Sequence, residues 1–361
     1  MKVLHIVGNK IEESNGIGRL LPEMIVMQNK YCDSLDAALL CVNDTYESDS
    51  FKVYTKNEIT DHLIDQYDLF IFHGIYFYSY LKLAKRILSR NKIYLVKPHS
   101  SLILRAQKKS FIKKTLANLI SFKQFIKRAG AVIFINEDEA KNSLQWNPNY
   151  FLEGNGLSSN QHEHAVEKSK KIEKPYNFVY LSRIDFSHKG TDILLDALDL
   201  LKEKYGIMNL NLSIYGVGDE KEVLELRRRI KKLNFPDVCF NGPIYGREKN
   251  DMLSNKDVFI LTSRYEGFPM AILEALDSGL PCLVTRGVNM TSIIEKYHVG
   301  WECETAVKSV AELILSILRM DSHLIEKASV HARAYVIKEH DWPSLVNYSK
   351  TIYKKICTRQ H

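Results

Sequence analysis

The chain lacks the features that assign a sequence to several common classes of protein. It has 361 residues and six cysteines, none in a Cys-x-x-Cys pair or at metal-ligand spacing, so no disulfide framework or metal site is predicted. No uncharged apolar run reaches about 18 residues, the length that a membrane-spanning helix needs. The apolar stretch at the start is too short for a signal peptide. We therefore expect a cytoplasmic protein.

Three catalytic motifs are also missing. The sequence has no Asp-x-Asp that would hold a metal-bound diphosphate, no P-loop and no Gly-x-Ser-x-Gly nucleophile turn. We accordingly expect no cofactor and no catalytic metal.

Apolar runs of strand length alternate with helix-like segments along the whole chain, a pattern typical of βαβ units. The length favours two domains. The predicted strands are residues 3–7, 37–42, 69–72, 93–96 and 131–135, then 178–181, 210–215, 238–240, 258–261 and 282–284. The polar segment 158–177 is the predicted linker. The predicted domains are therefore 1–157, joined by about 342–361, and 178–341.

The most informative segment is 257–285, DVFILTSRYEGFPMAILEALDSGLPCLVT. It predicts a strand, a loop, a helix with Pro269 at its first position, and a second strand. The loop lies beyond the carboxyl end of a strand, where parallel sheets bind ligands, and a helix start favours an anion. Glu266 and Glu274 bracket this turn, and carboxylates accept hydrogen bonds from sugar hydroxyls. The segment therefore suits a sugar nucleotide.

The spacing of these two glutamates, in EGFP and LEAL, resembles the E-x7-E signature of the family 4 (GT4) glycosyltransferases. The resemblance implies retaining enzymes of the GT-B fold, with two Rossmann-like domains facing a central cleft and a last helix that crosses back to the first domain. It also implies that Glu266 and the amides of Gly267 and Phe268, before Pro269, meet the donor sugar, while Glu274 holds the ribose diol.

A second match follows the predicted linker. In FVYLSRIDFSHKGTD, Arg183 ends a strand and Lys189 opens a helix, the places where a diphosphate lies in a Rossmann-like domain. By resemblance these two cations hold the donor diphosphate and neutralise it as it leaves. Gly216, in a strand-to-helix turn, and Ile244, after the next strand, match segments that approach the nucleotide in the family. A plain tight turn remains an equal alternative for Gly216.

The first half is expected to supply the acceptor side. Gly16 and Gly18 follow the first strand, where glycines let backbone amides approach a ligand, although Ile17 separates glycines that are adjacent in the family. His99 lies in KPHS, which resembles the family's Pro-His-Gly stretch beside the reacting sugar, with Ser100 in place of Gly. For His73, at another strand end, a structural and a functional role remain equally open.

The net charge of +7 is concentrated in residues 101–130, which contain eight cations and no carboxylate. Phenylalanine, leucine and isoleucine residues are interleaved with them, so the segment could lie on an anionic membrane, with a solvated helix over a core as the alternative. The proposed contact residues are Arg105, Lys108, Lys109, Lys113 and Lys114. No nucleic-acid recognition motif accompanies these cations.

Together these patterns predict a retaining glycosyltransferase at the inner face of the cell membrane. It would move a sugar from a nucleotide-diphosphate sugar, UDP-linked, to a glycan or lipid-linked acceptor for cell-surface polysaccharide. By resemblance, the reaction occurs on the donor's front face, with the leaving phosphate helping to deprotonate the acceptor. Two alternatives remain open, a GT-B nucleotide-sugar epimerase and a non-catalytic subunit that binds sugar nucleotide.

Overall fold

The computed structural model describes residues 1–12, 16–108, 121–157 and 171–358. The chain divides into two compact units, Met1–Ser158 with Glu339–His361, and Ser159–Lys338.

The first unit is built on a parallel sheet of seven strands in the order β3-β2-β1-β4-β5-β6-β7. Central strands such as β4 are buried along their length and mostly apolar, as expected when helices cover both faces of a parallel sheet. The strands are β1 Lys2–Val7, β2 Asp36–Cys41, β3 Val53–Thr55, β4 Leu69–His73, β5 Ile93–Lys97, β6 Ala131–Phe134 and β7 Tyr150–Leu152. The helices are α1 Gly16–Tyr31, α2 Asp61–Gln66, α3 Tyr78–Ser89, α4 Leu104–Lys108, α5 Lys123–Arg128 and α6 Glu137–Lys141.

The second unit is built on a parallel sheet of six strands in the order β10-β9-β8-β11-β12-β13. The strands are β8 Asn177–Leu181, β9 Asn211–Tyr215, β10 Val238–Phe240, β11 Val258–Leu261, β12 Cys282–Thr285 and β13 Gly300–Cys303. The helices are α7 Thr191–Tyr205, α8 Glu220–Leu233, α9 Gly246–Ser254, α10 Met270–Asp277, α11 Thr291–Tyr297, α12 Val307–Arg319 and α13 Ser322–Glu339. The strand order reverses between β8 and β11, which places a Rossmann-type ligand site at their carboxyl ends.

The last helix, α14 Trp342–Thr358, packs on α1 and so belongs to the first unit. Its Trp342 indole donates to Glu23 at 3.0 Å. The ring lies so close to Gly156 that a Cβ there would come within 2.4 Å of it. A glycine is therefore required where the chain leaves β7 and passes under this tryptophan.

The structure differs from the sequence prediction in several elements. The short strands β3, β7 and β13 were not predicted. The segment 158–177 is not a linker over its last part, because Ile172 and Tyr176 are buried in the second unit and Asn177 begins β8. Pro269 caps α10 from outside, with ψ of 134°, instead of occupying its first turn.

The basic segment 101–130 contributes to the core. Phe122, Phe125 and Ile126 are all buried in the hydrophobic cluster of the first unit, so these three side chains do not face lipid. Lys109, Lys113 and Lys114 lie outside the described residues. Among the residues that are described, no helix is both long enough and apolar enough to cross a bilayer.

Candidate active site

The start of α7 is pressed against the carboxyl end of β11, and this contact brings Lys189 to the switch point of the second sheet. Gly190 has a φ of +66°, and a Cβ there would lie 2.1 Å from the carbonyl oxygen of Thr262. The Thr262 hydroxyl donates to the Gly190 carbonyl oxygen at 2.8 Å. Only glycine fits this left-handed close approach, so the glycine that follows Lys189 in the sequence has a steric cause.

Lys189 and Glu266 form an ion pair at this point, with 2.5 Å between Nζ and Oε1. The Ser263 hydroxyl donates to the same carboxylate oxygen at 2.8 Å. Burial raises the pKa of the Glu266 carboxyl, but the charge of Lys189 and the hydrogen bonds from Lys189 and Ser263 lower it further, so its pKa is below the usual range. The carboxylate is therefore ionised and held in place by fixed donors.

Arg183, two residues after the end of β8, is oriented by His188 and Asp185. Its guanidinium lies 3.0 Å from Asp185 Oδ2 and 3.2 Å from His188 Nδ1. His188 stacks on Tyr265 with ring centroids 4.2 Å apart, and its Nε2 lies 2.8 Å from the Tyr265 carbonyl oxygen. Because Nε2 donates to that carbonyl, Nδ1 is free to accept from Arg183. Burial, more than any other factor, lowers the pKa of His188, which favours this neutral form.

His188 was not predicted from the sequence, because a single histidine before a lysine has no distinguishing pattern. The structure gives it a definite place between the Arg183 side chain and the loop after β11. Its Nε2 also lies 3.8 Å from Glu266 Oε1. Arg183, Lys189 and Glu266, which the sequence analysis assigned separately, therefore form one cluster around His188.

Glu274 belongs to a second buried pair. Its Oε2 lies 2.9 Å from Lys249 Nζ, and both side chains are less than a tenth exposed. Glu274 is on α10 and Lys249 is on α9, which follows the loop that contains Ile244. Lys249 was also missed, because no motif marks it and the pairing exists only in the fold.

The remaining donor-site candidates in the second unit lie in loops after strands. Gly216 has a φ of +152°, and a Cβ there would lie 1.8 Å from the Ser182 carbonyl oxygen, so the turn after β9 closely approaches the end of β8. Ile244 is half-buried in the loop after β10. Gly267 and Phe268 are buried, and Pro269 is half-buried, in the loop that leads into α10.

His99 lies just after β5, in a strained turn. It and Ser100 have φ values of +47° and +68°, a left-handed conformation that costs about 1–2 kcal/mol for a non-glycine residue. Glu139 holds the turn, because its two carboxylate oxygens accept from the backbone amides of Ser100 and Ile135, each at 2.7 Å. The positive φ of Ser100 explains why glycine is usual at this place in the family pattern.

The other predicted residues of the first unit are placed differently from expectation. Gly16 is the first residue of α1 and Gly18 is buried in its first turn, so these glycines belong to a helix start, not to an open loop. Arg105 is exposed on α4, which ends at Lys108.

Comparison with known proteins gives matches to glycosyltransferases. The model of the family described as glycosyl transferases group 1 matches residues 161–339. N-acetyl-alpha-D-glucosaminyl L-malate synthase of Bacillus anthracis is 25% identical over 195 residues, which are 53% of this chain and 47% of that enzyme. The chain spans less than half of the curated relatives it matches first.

Solved structures match over nearly the whole chain. Sucrose-phosphate synthase from Thermosynechococcus elongatus aligns with a TM-score of 0.75 and 14% identity, covering 99% of this chain and 100% of that one. Anabaena HepE in complex with UDP aligns with a TM-score of 0.72 and 16% identity, covering 98% and 100%. These likenesses confirm the predicted GT-B fold class. Residues 161–339, about half of the chain, therefore match the family of glycosyl transferases group 1.

Proposed function

We propose that this protein is a retaining, metal-independent glycosyltransferase of the GT4 type that uses a nucleotide-diphosphate sugar, UDP-linked. The observation that carries the proposal is the cluster of Lys189, Glu266 and Arg183 at the switch point of the second sheet. Two cations beside an ionised carboxylate suit a ligand that has a diphosphate next to a sugar. UDP in the Anabaena structure of the same fold supports the choice of base.

Each residue of the cluster has a proposed role. Arg183 and Lys189 bind the diphosphate and neutralise the charge that develops as it leaves, which removes the need for a catalytic metal. Glu266 accepts hydrogen bonds from hydroxyls of the donor sugar. Glu274, oriented by Lys249, accepts from the ribose diol. For His99 we keep the role that the family resemblance implies, a contact with the reacting sugar.

A cavity in the first unit supports an acceptor site there. Its volume is about 600 Å³, and it opens beside α3 and the loops after β2 and β4. Its aromatic wall is formed by Tyr76, Phe77 and Tyr78, and cationic side chains from Lys56, Lys82 and Arg86 also line it. Aromatic faces suit sugar rings and cations suit phosphate or carboxylate groups. We propose a glycan or lipid-linked acceptor, used at the inner face of the cell membrane in surface-polysaccharide synthesis.

The test is nucleotide release from UDP-glucose, UDP-galactose and UDP-N-acetylglucosamine, with and without a panel of octyl glycosides. A transferase releases UDP faster with one acceptor and forms a product whose anomeric configuration, read by proton NMR, is that of the donor. Release of UDP without acceptor, together with an altered sugar, would indicate an epimerase. Binding of UDP without any turnover in the panel would indicate a non-catalytic subunit.

A further inference from the structure

A continuous chain of hydrogen bonds inside the first unit connects Glu153 to His99. In order it passes through Glu153, Tyr353, Gln28, His5, His73 and His99, with donor–acceptor distances of 3.2, 3.4, 2.9, 3.0 and 2.9 Å. The first five side chains are at most 3% exposed, and His99 is only half-buried. This hydrogen-bond chain therefore begins in the core of the first unit and ends at a histidine that solvent or a ligand can reach.

The inner end of this chain allows one arrangement of protons. Glu153 is paired with Lys97 at 2.9 Å and also accepts from the Ser349 hydroxyl. Burial raises the pKa of the Glu153 carboxyl, but Lys97 and Ser349 lower it to below the usual range, so the group is a carboxylate and can only accept. Tyr353 must therefore donate its single proton to Glu153. Its oxygen can then only accept, so the Gln28 amide NH₂ group faces Tyr353 and the Gln28 carbonyl oxygen faces His5.

The three imidazoles continue the same order of donors and acceptors from Gln28 to His99. Burial lowers the pKa of all three histidines, to about 4 for His5, to about 3 for His99 and well below the ordinary value for His73, so each carries one proton at neutral pH. His5 donates from Nε2 to Gln28, which leaves its Nδ1 to accept from His73 Nε2. His73 Nδ1 in turn accepts from His99 Nε2. If every hydrogen bond ran in the opposite direction, the Tyr353 oxygen would face the Glu153 carboxylate with no proton between them.

We propose that Glu153 sets the tautomer of His99 through this chain, so that His99 carries its proton on Nε2 and keeps Nδ1 as a hydrogen-bond acceptor for a sugar hydroxyl. Tyr353, Gln28, His5 and His73 are positioning residues in this arrangement. The substrate role of Nδ1 rests on the proposed function. The fixed tautomer does not, because it follows from the hydrogen bonds within the first unit.

The first measurement needs no substrate. With ¹⁵N-labelled histidine, two-bond ¹H–¹⁵N spectra at neutral pH report which ring nitrogen carries the proton, and His99→Gln identifies the His99 signals. We expect a single His99 form protonated at Nε2. A His99 protonated at Nδ1 in the wild-type protein would overturn the proposal outright.

The second measurement removes the hydroxyl that fixes Gln28. In Tyr353→Phe the Gln28 amide can turn over, so we expect at least about a tenth of His99 in the Nδ1-protonated form. Gln28→Met, which removes the NH₂ donor and the carbonyl acceptor of the side-chain amide, should have the same effect. The matched control is Tyr94→Phe, since Tyr94 is an equally buried tyrosine of the same unit. Its hydroxyl donates to the Phe125 carbonyl oxygen and is not part of the hydrogen-bond chain from Glu153 to His99. If Tyr353→Phe and Gln28→Met both show the wild-type spectrum, Glu153 does not set the tautomer.

Turnover then separates this inference from the proposed function. Tyr353→Phe should lower kcat in proportion to the fraction of His99 found protonated at Nδ1, with little change in the KM for the donor, because only the Nε2-protonated molecules are competent for the reaction. Tyr94→Phe should resemble wild type. If the tautomer shifts as expected in Tyr353→Phe while the wild-type protein has no transferase activity, the proposed function is refuted and the inference about the hydrogen-bond chain stands. A shifted tautomer with unchanged kcat in an active enzyme would remove the role of Nδ1 toward substrate.

Discussion

Lys189 and Glu266 lie 77 residues apart in the chain, yet their side chains meet at 2.5 Å. The contact joins the group proposed for the donor diphosphate to the group proposed for the donor sugar. Because a diphosphate competes for the same ammonium group, donor binding is expected to shift Lys189 from the carboxylate toward phosphate. Glu266 would then be freed to accept from sugar hydroxyls, so the ion pair preorganises both halves of the donor site.

Lys189→Ala tests this relationship by kinetics. Loss of a charged hydrogen-bonding partner at the leaving diphosphate should cost about 2–4 kcal/mol, or about 30–1,000-fold in kcat/KM. Lys221→Ala is a suitable control, since Lys221 is an exposed lysine on α8 of the same unit. Turnover of Lys189→Ala within threefold of that control would remove the assignment.

Glu266 and Glu274 should divide the donor between them. Glu274→Ala should weaken binding of free UDP by about tenfold to a hundredfold, as expected for hydrogen bonds to a charged group. Lys249→Met should weaken UDP in the same direction, because Lys249 holds the Glu274 carboxylate at 2.9 Å. Glu266→Ala should leave UDP bound and reduce transfer. Isothermal calorimetry that shows equal loss of UDP affinity in Glu266→Ala and Glu274→Ala would contradict this division.

Ser100→Gly should stabilise the protein. Ser100 has a φ of +68°, where glycine avoids about 1–2 kcal/mol of steric cost but loses up to about 1 kcal/mol of backbone entropy. We expect a net gain of about 0.5–1 kcal/mol in the free energy of unfolding, measured with urea. Ser101→Gly is the matched control, because Ser101 is not among the positive-φ residues and its replacement should only destabilise. A loss of stability in both variants would show that the left-handed turn carries no strain.

His340 should make stability fall in mild acid. It is 4% exposed, its Nδ1 donates to the Asn155 carbonyl oxygen at 2.6 Å, and burial lowers its pKa to about 4. The unfolded chain binds the proton first, with a pKa near 6.5, so stability from this group is complete above that pH and is lost as pH falls toward 4. The loss is about 3 kcal/mol. Urea unfolding between pH 7 and pH 4 should show a smaller decrease for His340→Gln than for wild type, and equal decreases would refute the prediction.

The basic segment is expected to bind anionic membranes. A variant with four glutamines should lose up to about 4 kcal/mol, close to a thousandfold in partitioning, at about 1 kcal/mol per cation. Salt should weaken the wild-type protein in the same direction. The replaced residues are Lys108, Lys109, Lys113 and Lys114.

Vesicle co-sedimentation with phosphatidylserine membranes is the measurement. The control variant carries four glutamines at exposed lysines of the second unit, so it has the same net charge; these are Lys204, Lys221, Lys231 and Lys232. Equal binding by the two variants, or no binding by the wild-type protein, would mean that the segment is a solvated surface.

The sequence alone determined the class of the fold and one part of the site. Long apolar runs alternating with helical segments predict parallel sheets, because a parallel crossover needs a helix of that length between strands. Arg183, Lys189 and Glu266 were proposed as site residues from local motifs at strand ends and helix starts, and the structure brings them into one cluster. Such positions can be read locally, since the carboxyl ends of parallel strands meet at one edge of the sheet whatever the rest of the chain does.

The tertiary structure decided the remaining elements. Strands β3, β7 and β13 have three or four residues and lie at the edges of their sheets, where each forms on the edge that a neighbouring strand offers. Gly16 begins a helix, whereas the sequence predicted an open glycine loop at this position. Short elements depend on their neighbours more than on their own sequence.

The pairings that tune the site were also outside the reach of sequence reasoning. Lys249 meets Glu274, and Gln28 meets Tyr353 across 325 residues, with no motif at either position. A pattern of period 2 or 3.6 tells which face of an element is buried, but the partner on that face is chosen by packing of distant segments. The residue types suited to the proposed chemistry can therefore be recognised from the sequence. Their protonation and orientation depend on contacts that exist only in the folded protein.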